Sequence, residues 1–328
     1  MSQVSLYPLR FEPIYQYRLW GGRRLANLLA APLPDGPIGE AWLLSDREDH
    51  PSKVASGACK GSTLRQLLET FPHQMMGSLV GRFERFPVLL KFLDAHEKLS
   101  VQVHPDNSHQ HYIPVGETGK TEAWVVLDTM PDARIYAGLK PYTTLEGLKL
   151  ATANHSVASC LASFRPQVGD SVFIPAGSVH TLDGVVVFEV QQNSDVTFRL
   201  YDWDRTDHKT GQPRPLQVEQ AMACIDIHQV DIGPVTPVVE ATTPVRCERL
   251  FHCGQFSLWR HSGRSEFTVG VADKPRVLVC TEGEGELEYG GAGYPLGRGD
   301  VVLLPAEIGA CVYRPRNAVT LLEVGLPE

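Results

Sequence analysis

The stretch Val168-Gly-Asp-Ser-Val-Phe-Ile-Pro-Ala-Gly-Ser-Val-His180 returns as Arg298-Gly-Asp-Val-Val-Leu-Leu-Pro-Ala-Glu-Ile-Gly-Ala310 at a constant offset. In each copy Gly-Asp opens a turn, a short and mostly apolar run follows, and Pro-Ala closes it, which is the pattern of a buried strand between turns. A strand–turn unit used twice implies two copies of one β-architecture. The copies differ at their ends: His180 stands where the second has Ala310, and no histidine follows His261. Only the first copy can carry chemistry that needs an imidazole there.

Working outward, residues 171–175, 185–191, 276–280 and 300–305 are short β-branched runs bounded by Gly, Pro or Asp, and predict strands. Helices are fewer. Residues 62–71 place Leu64, Leu67, Leu68 and Phe71 on one helical face behind a Ser/Thr start. Thr143-Thr-Leu-Glu146 reads as a capping box opening a helix towards Asn154, and residues 215–224 read as a third helix with Pro215 near its first turn. The 29 glycines and 24 prolines suit many short strands better than long helices. A length of 328 residues suggests two domains. The proline-bearing stretch 230–245 (Pro234, Pro237, Pro244) is the expected joint, dividing the chain into 1–233 and 234–328.

With 30 Lys+Arg against 38 Asp+Glu the net charge is −8, which argues against a nucleic-acid partner or an anionic-membrane surface. No apolar run approaches the roughly 18–20 residues of a membrane span, and the start lacks a signal-peptide pattern. Seven scattered cysteines form no CxxC pair. The expectation is a soluble, cytoplasmic protein.

Three segments of the first half supply metal-capable side chains. In Ser100-Val-Gln-Val-His-Pro-Asp106 strand alternation puts Gln102 and His104 on one face; Glu122 begins the next strand in Gly119-Lys-Thr-Glu-Ala-Trp124; and His180 follows the turn after residues 171–175. Two imidazoles, a carboxylate and an amide oxygen suit Zn²⁺ or a similar first-row divalent ion, with room for water or substrate.

The spacing Gly169-x5-Pro175-x-Gly177-x2-His180 resembles the second motif of the cupin superfamily, and implies a jelly-roll fold: all-β, two cupin barrels in tandem with a few inserted helices. Within it, Val101-Gln-Val-His-Pro-Asp-Asn107 and Gly119-Lys-Thr-Glu-Ala-Trp124 resemble type I phosphomannose isomerases of the short bacterial form. So do Ile38-Gly-Glu-Ala-Trp42, the run from Pro87 to Ala95, Lys98-Leu-Ser100 and the run from Thr197 to Trp203. The resemblance implies one zinc ion per chain on His104, Glu122 and His180, with Gln102 as a fourth ligand. It also implies a catalytic Arg199, and interconversion of mannose 6-phosphate and fructose 6-phosphate.

That reaction moves a proton between C1 and C2 through an enediol and another between O1 and O2; a Lewis acid can hold the charge that develops on oxygen, and a fixed cation lowers the barrier further. Arg199 suits the cation. Lys120 is a candidate for base or phosphate contact, with Lys91 and Glu40 as further candidates and Ser100 as a phosphate contact. The competing expectations are another metal-dependent cupin enzyme, such as a dioxygenase, or a non-catalytic sugar-phosphate-binding protein. The partner expected is a small sugar phosphate, the chain being a monomer or homodimer.

Overall fold

Strand His180–Gln192 organises the first half of the chain. Its side chains alternate: Val186, Phe188 and Val190 enter one apolar core, Val185 and Val187 another. Two antiparallel neighbours obey the same rule. Val88–Ala95 sends Val88, Leu90 and Phe92 to the first core and Leu93 and Ala95 to the second; Glu122–Leu139 divides Ala123 and Val125 from Trp124 and Val126. Lys91, Glu122 and Glu189 therefore share the second face. Register puts them in a row: Trp42 opposite Lys91, Lys91 opposite Glu189, Glu189 opposite Trp124. A slip of one residue would drive these charges into the apolar core, so the pattern fixes the register.

The structure, a computed structural model, describes residues 5–207 and 209–327. The strands above belong to a nine-stranded sheet. Its main path runs Phe198–Tyr201, Val101–Val103, His180–Gln192, Val88–Ala95, Ile14–Gly22, Ile38–Leu44, and Glu122–Leu139 pairs with His180–Gln192, Ser171–Ile174 and Leu161–Phe164. The second half forms a seven-stranded and a four-stranded sheet. Strand Arg276–Glu282 shows how they pack: Leu278 and Cys280 join a core with Leu287, Leu296 and Tyr313 of the smaller sheet, while Val277 and Val279 face the first half. The halves are sewn together. Phe173 lies 5.8 Å from Phe251 between ring centroids, and Leu9–Arg10 pairs with Val301–Leu304.

The repeat is realised turn for turn. Gly169 and Gly299 both take positive φ (91° and 86°), and Asp170 and Asp300 each accept a 2.8 Å bond from the backbone N–H three residues earlier, Gln167 and Gly297. A side chain at 299 would also collide with the Leu28 carbonyl, which explains the glycine in this copy. Strands Ser171–Ile174 and Val301–Leu304 follow.

The expected helices form with shifted starts. Leu64–Thr70 begins at a Thr63/Gln66 capping box. Leu145–Ala153 is capped by Thr144, whose hydroxyl takes the Gly147 N–H, and not by Thr143 with Glu146. The third helix is Val218–Cys224, because Pro215 lies ahead of it with its carbonyl bound to Arg199. The joint is ordered: Val235 N–H bonds Ser171 O, and Val238–Ala241 is an edge strand on Arg246–His252. No helix among the described residues is long and apolar enough to cross a membrane.

Candidate active site

His104, just past strand Val101–Val103, and Glu122 and His180, each opening a strand, come together although they are far apart in sequence. All three are 1 % exposed, and their ligand-capable atoms lie within 4.8 Å of one another. His104 Nε2 is 3.3 Å from Glu122 Oε2, and His180 Nε2 is 3.2 Å from Glu122 Oε1. The far side of each ring is tied to backbone: His104 Nδ1 to Val196 O at 2.8 Å, and His180 Nδ1 to Ser178 O at 3.0 Å. A carbonyl accepts only, so each Nδ1 carries the proton and each Nε2 turns a lone pair inward. Gln102 lies opposite both His180 and Arg199 in the sheet. Its amide nitrogen, not its oxygen, faces His180 Nε2 at 3.1 Å. For Gln102 to ligate, that amide must turn over.

Lys120 completes the cluster, with Nζ 2.8 Å from Glu122 Oε2 and 3.2 Å from His104 Nε2. The Lys120 charge holds the buried Glu122 carboxyl well below its usual range, and Glu122 in turn keeps Lys120 protonated. Burial, aided by Lys120, pushes His104 down to about 3. Folded His104 thus refuses a proton that unfolded His104 accepts below about 6.5. The native state binds fewer protons, so metal-free protein should lose stability as pH falls from about 6.5 towards 3. Urea midpoints at pH 7 and pH 5 after chelation test this: a lower midpoint at pH 5 is expected, with His104→Gln flattening the difference, and equal midpoints for the unsubstituted chain would contradict it.

Gln102 and Lys120, which touch this cluster, also line a polar cleft of about 390 Å³, whose walls include Ser100, Glu40, Lys91 and Arg199 but not His104, Glu122 or His180 themselves. The volume lies within the range of small-molecule sites. Lys91, 3 % exposed, reaches Glu189 at 3.4 Å, Asp195 at 3.7 Å and Glu40 at 3.8 Å. Glu40 is held low, to a carboxylate, by Arg18 (Nε to Oε1, 2.8 Å) and Lys91, and takes the Trp42 indole N–H at 2.6 Å. Glu189 takes the Trp124 N–H at 3.0 Å; burial, with Glu122 close by, raises its pKa. Arg199 donates to Pro215 O at 2.8 Å and has its Nε buried without a partner. Burial and the nearby Arg214 pull it down to about 10, which leaves it cationic at neutral pH. Arg214 itself is paired with Asp202, which Arg205 shares.

Of the site residues singled out from the sequence, Glu40, Lys91, Ser100, Gln102, Lys120 and Arg199 line this cleft, while His104, Glu122 and His180 do not and meet it through Gln102 and Lys120. Glu189, Arg18, Asp195 and Arg214 line it too, and sequence reading passed them over. Glu189 had a signal: like Lys91, it is a charge interrupting a run that is otherwise apolar.

The donor set fits a divalent ion. Neither oxygen of the buried Glu122 carboxylate has a hydrogen bond of regular geometry, and its one cationic partner, Lys120, lies on the Oε2 side, so among the described residues Oε1 faces only His180 Nε2. Two inward lone pairs and one carboxylate, joined to a polar cleft through Gln102 and Lys120, are the making of a metal-capable enzyme site.

Residues 9–121 match the catalytic domain of phosphomannose isomerase type I. The mannose-6-phosphate isomerase ManA of Bacillus subtilis (strain 168) is 36 % identical over 316 residues, covering 93 % of this chain and 95 % of the relative. A mannose-6-phosphate isomerase of Streptococcus mutans is 31 % identical, covering 92 % and 93 %. The crystal structure of the Bacillus subtilis mannose 6-phosphate isomerase superposes with a TM-score of 0.89 at 30 % identity, covering 97 % of this chain and 99 % of that one. The chain belongs to the type I phosphomannose isomerase family, whose members are aldose–ketose isomerases.

Proposed function

We propose that the chain interconverts mannose 6-phosphate and fructose 6-phosphate with one zinc ion held by His104, Glu122, His180 and Gln102. The observation that carries this is the buried His–Glu–His cluster, its lone pairs turned inward beside Lys120, which in turn lines a cleft shared with Arg199. When bound, the ion supplies Lewis-acid polarisation of the sugar carbonyl. The chain's own residues do the rest. Once Glu122 is engaged by a dication, Lys120 loses its carboxylate partner and gains a like charge nearby, both of which lower its proton affinity. Its amine then takes the proton from C2 and returns it to C1 while the hydroxyl proton passes from O2 to O1, or the reverse. Arg199 is fixed before reaction and faces the negative charge that develops on oxygen, where a preorganised cation is most effective. Ser100, Lys91 and Glu40 hold the sugar phosphate, and the Arg18–Glu40–Lys91–Glu189 chain of charges keeps Lys91 in place.

We read residues 1–233 and 234–328 as two barrels of cupin type, supported by the repeated Gly-Asp turn; the second has Ala310 in place of the ligand His180. A coupled assay on mannose 6-phosphate, with metal quantified alongside, tests the proposal. Chelation is expected to abolish turnover and zinc to restore it at one ion per chain. Turnover that survives in metal-free protein would refute the metal's part, and none in zinc-loaded protein would refute the activity.

A further inference from the structure

The backbone that carries Lys120 and Glu122 is held from behind. Strand Glu122–Leu139 begins only at Glu122, so the N–H groups of residues 119–121 lack ladder partners from that strand. Each finds a substitute. Gly119 N–H bonds the Asn107 side-chain oxygen at 2.7 Å, Lys120 N–H bonds Pro105 O at 2.9 Å, and Thr121 N–H bonds the Gln192 side-chain oxygen at 2.9 Å. Gln192 also gives its own backbone N–H to Thr121 O at 3.1 Å, so one residue brackets Thr121 on both sides. Pro105 directly follows His104, which couples the Lys120 backbone to that of a ligand.

Neither Gln192 nor Asn107 lines the reaction cleft. Together with Thr118 they line a separate cavity of about 410 Å³ on the other side of this segment. Water admitted there competes for the Thr121 N–H; the Gln192 oxygen keeps it satisfied in a fixed direction. Thr121 sits between Lys120 and Glu122, whose side chains meet at 2.8 Å, so any tilt of its peptide shifts both.

We propose that Gln192 is a positioning residue for the reaction, acting through the Thr121 peptide to set the distance between Lys120 and Glu122. Asn107 supports the same segment one turn of chain earlier. The kinetic part rests on the isomerase reading above; the structural part does not. Misplacement of a reacting group is felt in turnover more than in substrate capture.

The test compares Gln192→Met, which keeps the length and loses the acceptor, with Gln192→Glu, which keeps an acceptor oxygen. Gln192→Met should lower kcat about 10- to 100-fold, the usual effect of losing a residue that orients a ligand, while KM changes less than about threefold. Gln192→Glu should recover most of the lost kcat. Independently of activity, amide hydrogen exchange at Thr121 should speed up at least tenfold in Gln192→Met, with Val125 in the strand interior unchanged. Unaltered exchange at Thr121, or unaltered kcat in an active enzyme, overturns the proposal; so does a Gln192→Glu variant as impaired as Gln192→Met. Should the unsubstituted chain prove inactive, the isomerase reading fails, and the exchange result alone decides whether the Gln192 bracket exists.

Discussion

His180→Ala is expected to lose metal and turnover together, with turnover down by about a thousandfold or more, since the site then loses one of its four proposed protein ligands and gains an open, hydrated side. The imidazole cannot be replaced from nearby. Its Nδ1 is committed to Ser178 O, its Nε2 lies 3.2 Å from Glu122, and its ring packs edge-on to Trp124 at 5.4 Å. Truncation also leaves a void and deprives Glu122 of a partner, costing about 2–4 kcal/mol of stability. Metal content, a thermal melt and the coupled assay should be measured on one preparation. A folded His180→Ala protein that retains its ion, or turns over without it, would remove the basis of the proposed chemistry.

Arg199→Ala should separate the two functions that His180→Ala destroys together: metal content stays at the unsubstituted level while kcat falls about 100- to 1,000-fold, the scale of losing a preorganised charge-stabilising group. Among the described residues Arg199 makes no ion pair, in contrast to Arg214 and Arg205, which share Asp202. A partly desolvated guanidinium without a carboxylate has its charge to spare for an anion. Its orientation is set by Pro215 O and by Gln217, whose side-chain oxygen takes the Arg199 backbone N–H at 3.1 Å. Arg199→Lys is not expected to restore activity, because a point charge on a flexible stem does not reproduce the planar fork. A loss under about threefold in kcat would make Arg199 a bystander.

The metal-capable residues were legible because their types are scarce and their flanks distinctive: Gln102 and His104 alternate along a strand, and His180 ends a recognisable turn. The repeat was legible because a positive-φ glycine followed by an Asp that caps its own turn leaves a two-letter trace. What stayed hidden depends on register. The row Trp42, Lys91, Glu189, Trp124 crosses four strands, and nothing local to any one strand reveals its neighbours. Arg18 meets Glu40 across the same sheet, and only pairing makes them partners. The Thr144 cap was missed because Thr143 and Thr144 both offer a hydroxyl, and the choice falls to Gly147 N–H over a Glu146 box. Gln192 could not be found at all, since its use is to complete a backbone bond for a residue far upstream.

The pairing of Leu9–Arg10 with Val301–Leu304 bears on how the protein comes to exist in a cell. A nascent chain emerging from the ribosome exposes this strand long before its partner has been synthesised. Until residues 301–304 are out, Leu6 and Leu9 have only part of their eventual burial, which leaves apolar surface uncovered during synthesis. Expression of the front half alone would leave that seam permanently open. The seam at residues 9–10 thus closes only once residues 301–304 have been made.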